Sequence, residues 1–344
     1  METRGQKLQA AVMLAFIAFA FAALIYSRIS AYSLAPTLKQ IDLQGLPLWL
    51  IPLVYLADYA LHAWPCLLFA FILAGLMYEF IPKDWMTRHM RDSRFKGYLL
   101  AAVIAPVFTV CSCTMVPLFA GILFAGAGIG PAIVFLLMAP AANFMTLLLT
   151  GELIAWDIAL VRLLAAFVTA IVAGVVIART PWGRAVQAEF TVESPSPGGR
   201  VALVKLPFNE RLWSGLRFSG YLVRRILPYF VIGLVAVSYF VAFVPETALA
   251  PYLTGVQGVV IASFIGGPLY TPTLVEIALG RALLDMGMSR GALLSWLMGQ
   301  PYDIPNMVAT SRVVHWKVVG LYAVIALLFS ITFGLLYSIV TGWV

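Results

Sequence analysis

Charge is scarce in this chain. Its 344 residues include only 22 Lys and Arg and 15 Asp and Glu, or 11%, where a soluble domain carries about 25%. That scarcity excludes a chain dissolved in water along its length, and the 62% of hydrophobic residues identifies lipid as its main solvent. Cysteine is rare too. Three cysteines, two of them one residue apart at Cys111 and Cys113, cannot form a secreted disulfide framework and read as free thiols. Catalytic and nucleotide signatures are also missing. There is no Gly-x-x-x-x-Gly-Lys-Ser/Thr loop, no His-Glu-x-x-His, no Gly-x-Ser-x-Gly and no dinucleotide fingerprint, so neither an ATP motor nor an enzyme has a motif to carry it. Energy then comes from an ion gradient or from a separate partner, and no cofactor is expected.

The formal net charge of +7 does not point to nucleic acid. Lys and Arg gather in short segments between apolar runs, where they orient loops toward the cytoplasmic leaflet. Residues 8–26 follow Arg4 and Lys7 and are long enough for an uncleaved first span with its N-terminus inside. A second run begins near Asp58 and stops before Pro82, after a Pro- and Trp-containing interfacial stretch at 47–55. The basic loop at 83–96 follows.

From residue 97 the pattern changes. Residues 98–110 and 114–125 are each 12 to 13 long, reaching only ~20 Å at helical rise, short of the ~30 Å of hydrocarbon. They predict half-helices, either a re-entrant hairpin or two discontinuous crossings. Residues 130–150 carry a break at Pro140-Ala-Ala-Asn143, and 158–178 run unbroken to Arg179. The second half repeats that order: a span at 226–244, a Gly/Pro-broken region at 256–284, a broken helix at 291–310 and an unbroken run at 318–340. A shift of 161 pairs Gly126 with Gly287, Gly130 with Gly291 and Pro140 with Pro301.

The expected fold is an all-α transmembrane bundle of about 8–10 membrane segments, forming two inverted-topology repeats within one membrane domain. Its parts are an N-terminal helix and interfacial segment (1–57), a first repeat (58–178), a cytoplasmic linker (179–225) centred on Ser194-Pro-Ser-Pro-Gly-Gly199, and a second repeat (226–344). Basic loops at both ends of the first repeat require an even number of crossings between them. Both readings of the half-helices satisfy this.

Chemistry concentrates at Thr109-Val-Cys-Ser-Cys-Thr-Met-Val-Pro117, thiols and hydroxyls at membrane depth between prolines. Thiolates suit soft ions and thiophilic metalloids, and two without a third ligand suit transient binding. Cys111, Ser112, Cys113 and Thr114 are therefore candidate cargo ligands, joined by Thr273 and by Asn143 and Asn306 near the other breaks, the two asparagines serving either cargo or the repair of freed backbone groups. Packing of the two cysteines as small apolar fillers is the alternative. Acids deep in apolar sequence mark ion paths, because a charge at mid-membrane costs ~2.5–3.5 kcal/mol on insertion scales. That singles out Glu276 and then Asp303 for proton coupling, unless Arg281 or Arg312 neutralises them. Asp58, His62 and Cys66 follow i, i+4, i+8 spacing and form either an auxiliary relay or ligand set, or an interfacial pair beside a packing cysteine.

Cys111-Ser-Cys113, the Val-Pro-Leu-Phe-Ala-Gly that ends at Gly121, Gly130-Pro-Ala132, the Pro140–Asn143 break and Gly267-Pro-Leu-Tyr-Thr-Pro-Thr-Leu-Val275 resemble the predicted permease family that includes ArsP and YraQ proteins. The resemblance covers residues 58 to the C-terminus. It implies a permease of the cytoplasmic (inner) membrane, and from ArsP members efflux of trivalent organoarsenicals, with the metalloid-handling role falling on Cys111 and Cys113 and, as a further option, Cys66. The expected partners are that cargo and the lipid bilayer, with a homo-oligomer or accessory protein as a further option. A membrane subunit or redox partner of a larger complex, and an intramembrane enzyme, are the rival classes.

Overall fold

The computed structural model describes residues 13–15, 17–20, 22–23, 25–26, 43, 45–107, 112–192, 207–243, 250–267 and 273–342. All regular structure among them is helical, as the composition requires. In order these helices are α1 (Ile51–Phe80), α2 (Lys83–His89), α3 (Phe95–Ile104), α4 (Ser112–Phe124), α5 (Ile129–Ala141), α6 (Phe144–Leu153), α7 (Trp156–Arg179), α8 (Pro181–Val192), α9 (Phe208–Phe243), α10 (Gly255–Gly266), α11 (Thr273–Asp285), α12 (Arg290–Leu297), α13 (Ile304–Thr310) and α14 (Trp316–Thr341). Before α1, the described residues between 13 and 26 are also helical, and Phe19 stacks on Trp64 of α1. Five segments among the described residues are long and apolar enough to cross a membrane: α1, α5 with α6, α7, α9 and α14. This is a multi-pass membrane protein.

Two boundaries differ from those read in the sequence. Helix α1 begins at Ile51, with the Pro-rich stretch supplying its first turn. Helix α9 begins at Phe208, eighteen residues before the span expected at 226, and α8 occupies part of the stretch read as linker. The early turns of α9 are polar by hydropathy, yet their arginines have partners. Arg211 donates to the carbonyl of Glu79 at 2.8 Å and pairs with its carboxylate at 3.6 Å, while Arg217 lies over the Trp213 ring.

Close helix approach depends on small residues, which let backbones touch where lipid gives no hydrophobic drive. A Cβ on Gly121 of α4 would lie 2.9 Å from the Ala74 Cα of α1. At Gly215 of α9 it would lie 3.1 Å from the Gly75 carbonyl oxygen. Helices α4 and α9 both pack on α1.

The two halves pack alike. Helix α3 lies on α5 and α7, as α10 lies on α12 and α14; α5 packs on α7, as α12 does on α14. The halves also interlock, since α4 touches α13 and α11 touches α6. Each short-helix pair leaves and returns to one end of the bundle. Gly128 N donates to Met90 O at 2.6 Å across the base of the α3/α4 pair, and Ser289 N to Leu253 O at 3.0 Å across the base of α10/α11. Each pair is thus a helical hairpin in shape, which the re-entrant and the two-crossing readings of the half-helices both require. The first base lies at the Arg179 end of α7, where Gln187 of α8 accepts from Ile129 N at 2.6 Å. The second base lies at the other end, where Arg290 reaches Asp157 at 3.5 Å.

The hairpin exits also match in detail. Gly126 and Gly287 both hold positive φ, 100° and 103°, and both donate to the carbonyl three residues back, Leu123 and Leu284, while Ala127 and Met288 donate to Ile122 and Leu283. This is a glycine-terminated helix end, repeated at the shift of 161 that the sequence indicated.

Candidate functional site

The breaks in both long segments are helix restarts with an Asx cap. Pro140 sits inside the last turn of α5, and the chain departs from helix at Ala142 and Asn143. Asn143 Oδ1 then accepts from Thr146 N at 2.9 Å to start α6. In the second half Pro301 lies in a 3-10 turn, Pro305 in the first turn of α13, and Asp303 is the cap. Its Oδ1 accepts from Asn306 N at 2.8 Å and its Oδ2 from Asn306 Nδ2 at 2.6 Å. Capping residues of this kind satisfy amide donors that a helix start leaves open. Asn143 and Asp303 therefore hold backbone together at their respective breaks, and Asn306 completes the second.

Between these restarts lies a charged pair. Arg162, on the unbroken helix α7, and Glu276, in the first turn of α11, are buried to 0% and 1% side-chain exposure, and Nη2 stands 3.6 Å from Oε2. Arg162 Nε donates to the Ala141 carbonyl at 2.7 Å and Nη1 to Thr150 Oγ1 at 3.2 Å. The guanidinium thus closes the open carbonyl end of α5 while reaching across to the other half. Glu276 is hydrogen-bonded by the Gln300 side chain and lies within electrostatic range of Asp303, which also feels Tyr55 of α1. Parts of three of the four interrupted segments, α5/α6, α11 and α12/α13, meet here.

Arg281 and Arg312 do not neutralise the buried acids, contrary to the alternative read from sequence. Arg281 pairs with Asp285 at 2.9 Å, and Arg312 lies 3.7 Å over the Tyr229 ring. The partner is Arg162, inside a run that reads as unbroken apolar helix. The signal was available: the insertion cost that singled out Glu276 applies equally to an arginine six residues into a membrane helix. Gln300 and Thr150 carry no such signal.

Asp58, His62 and Cys66 do not form one cluster. Asp58 and His62 make an exposed pair at 3.4 Å, with His62 75% exposed, whereas Cys66 is buried in the apolar core. Each of the two steps of four residues advances past a full turn, so the face drifts from outside to inside along α1. Among the described residues no group of three His, Cys, Asp or Glu is placed to hold a metal ion. Thr114 is buried in the first turn of α4. Cys111 lies outside the described residues, as do the side chains of Ser112, Cys113 and Thr273.

Next to Glu276, Tyr302 donates to the Ser263 carbonyl at 2.9 Å, at the edge of a buried serine triad. Ser263, Ser295 and Ser330, from α10, α12 and α14, bond one another. At a shift of 161 from the first two, Ala102 and Val134 fill the corresponding places with apolar side chains. The polar centre is therefore lopsided toward the second half.

Interrupted membrane helices enclosing a buried ion pair are features that fit the central site of a membrane permease. It belongs to the predicted permease family ArsP_1, whose match covers residues 53–339. It is similar to a UPF0718 protein of Methanocaldococcus jannaschii, 27% identical over 332 residues, 80% of this chain and 91% of that protein. The UPF0718 protein YraQ of Escherichia coli K12 is 27% identical over 267 residues, 76% of this chain and 73% of that one. A shorter match, 26% over 121 residues, covers 34% of this chain and 40% of the UPF0718 protein YcgR of Bacillus subtilis. No solved structure matches.

Proposed function

We propose that this permease works in the cytoplasmic membrane by alternating access, with its N-terminus inside, moving a thiophilic cargo outward through the centre at Arg162 and Glu276. The cargo class is a trivalent organoarsenical, a soft metal or a small sulfur-reactive compound, held transiently by Cys111 and Cys113. An ion gradient drives the export, and the two halves act as inverted-topology repeats. The carrying observation is the ion pair itself: it links α7 of one half to α11 of the other where the interrupted segments meet. A contact of that kind must be broken and remade if one half rocks against the other. The opposed hairpin bases support the inverted relation. Glu276 is the better proton carrier of the two acids, because both oxygens of Asp303 are engaged in a helix cap.

The test is a resistance screen across trivalent arsenicals, antimonials, copper, mercury and thiol-reactive organics in a strain expressing the protein, followed by uptake into inverted vesicles. Cys111→Ser with Cys113→Ser is expected to abolish transport at unchanged membrane abundance. Glu276→Gln is expected to flatten its pH dependence. Full transport by the double cysteine variant would remove the thiols from the mechanism.

A further inference from the structure

Arg162 has one arm without a hydrogen bond. Its Nε and Nη1 are engaged by Ala141 and Thr150, but at 3.6 Å Nη2 and Glu276 Oε2 are ion-paired without being close enough for a hydrogen bond, and neither atom has a hydrogen-bond partner among the described residues. A fully buried guanidinium normally completes its donor set, often with a carboxylate in bidentate contact. Here the best acceptor within reach stops short. Glu276 is also tied to Gln300, which competes with Arg162 for it, and sits within range of a second carboxylate at Asp303, which repels it.

Positive potential at this spot has a second source. Glu276 lies in the first turn of α11 and Asn143 starts α6, which packs on α11. Helix starts present unpaired amides and a partial positive charge, favourable to anions. The free arm of the arginine faces a place now filled, loosely, by the protein's own carboxylate at the start of α11.

We propose that the Arg162 guanidinium is a binding site for a small monoanion with a carboxylate-like oxygen pair, and that Glu276 is the built-in occupant which this anion displaces. A single negative charge is specified because the site holds one cation, while Asp303 nearby opposes a second negative charge. The inference rests on the permease reading for its purpose: neutralising or withdrawing Glu276 frees Arg162, and an incoming anion then replaces the contact between the halves. The anion is either a group on the cargo or a free co-ion.

The probe is sodium acetate, titrated into the purified full chain in nanodiscs at constant ionic strength and followed by thermal stability and tryptophan fluorescence. Saturable binding is expected for the wild type. Glu276→Gln, which removes the internal competitor at constant shape, should bind at least tenfold more tightly. Arg162→Gln should not bind, and neither should Arg162→Gln with Glu276→Gln, a neutral pair that serves if the single arginine variant misfolds. No saturable binding in both the wild type and Glu276→Gln, or equal weakening in both single variants, would overturn the site and leave a purely structural cross-link. In vesicles, a requirement for added acetate identifies a co-ion, and competition between acetate and cargo without such a requirement places the group on the cargo. Cargo transport without acetate binding would end this inference alone; acetate binding in vesicles that move nothing on the screen would end the permease reading alone.

Discussion

Gly334 of α14 lies against the carbonyl oxygen of Gly291 at the start of α12, as Gly174 of α7 lies against that of Gly130 at the start of α5: an added Cβ would come within 2.9 and 2.7 Å of those oxygens. Backbone cannot yield as a side-chain tip can, so Gly334→Ala and Gly174→Ala should each lose about 1–3 kcal/mol through overpacking. Gly320, also in α14, has nothing within 4 Å of its Cβ position, and Gly320→Ala should gain about 0.5–1 kcal/mol from helix propensity. Thermal unfolding midpoints of the three variants in one detergent check the order.

The glycines that end the hairpins separate backbone strain from packing. Gly287 has φ of 103° with nothing within 4 Å, whereas at Gly126 a Cβ would also meet Thr87 Cγ2 at 3.2 Å. Gly287→Ala should therefore cost about 1–2 kcal/mol from the left-handed backbone alone. Gly126→Ala should cost more, and Thr87→Ser should remove only the excess. A double-mutant cycle on Gly126 and Thr87 measures this; zero coupling would mean that strain accounts for the entire cost.

Much of this architecture was legible because lipid punishes irregular backbone, so glycine and proline in apolar sequence mark real departures from helix. The Gly126/Gly287 register and the order of break, break and unbroken helix survive intact. The position of the break does not follow the proline: Pro140 stays helical, and the Asx caps three residues after Pro140 and two after Pro301 define the restart. Asp303 was singled out as a buried charge, but its sequence neighbours Pro305 and Asn306 also spell a cap. Arg162 was hidden because hydropathy averages over a window, and one cation among aliphatic neighbours barely lowers it. The pairing of Arg162 with Glu276, 114 positions away, is a tertiary fact that no local pattern encodes.

Asp92 joins the base of the first hairpin to α5 by accepting from Gly130 N at 2.8 Å. Burial raises its carboxyl above the ordinary 3.8, against the lowering effect of the bonds from Gly130 and Ile129. The folded state then holds the proton more tightly than the unfolded one, so this group's contribution to stability falls as pH rises from near 3.8 through its folded value. Asp92→Asn keeps the acceptor without the charge and should remove that slope, with stability at neutral pH equal or higher. Asp92→Ala leaves the Gly130 amide open and should lose about 0.5–2 kcal/mol, as for other lost caps. Unfolding midpoints of the three proteins between pH 4 and 7 decide it, and a steeper slope in the Asn variant would contradict the assignment.

The Arg162–Glu276 contact should behave differently in stability and in transport. Arg162→Met leaves a carboxylate buried without its cation, and Glu276→Met leaves the cation; each should cost about 3–5 kcal/mol, as when one member of a buried pair is removed. The double Met variant has no stranded charge and should recover much of that loss, since apolar side chains of similar size replace such pairs well. Recovery stays partial because Arg162 also closes the Ala141 carbonyl and bonds Thr150. Cargo transport should be absent in all three. A double variant no more stable than Arg162→Met would show that the arginine matters as the cap of α5 rather than as the partner of Glu276. A stable double variant that still transports would mean that the charges are dispensable, and the path would then lie elsewhere in the bundle.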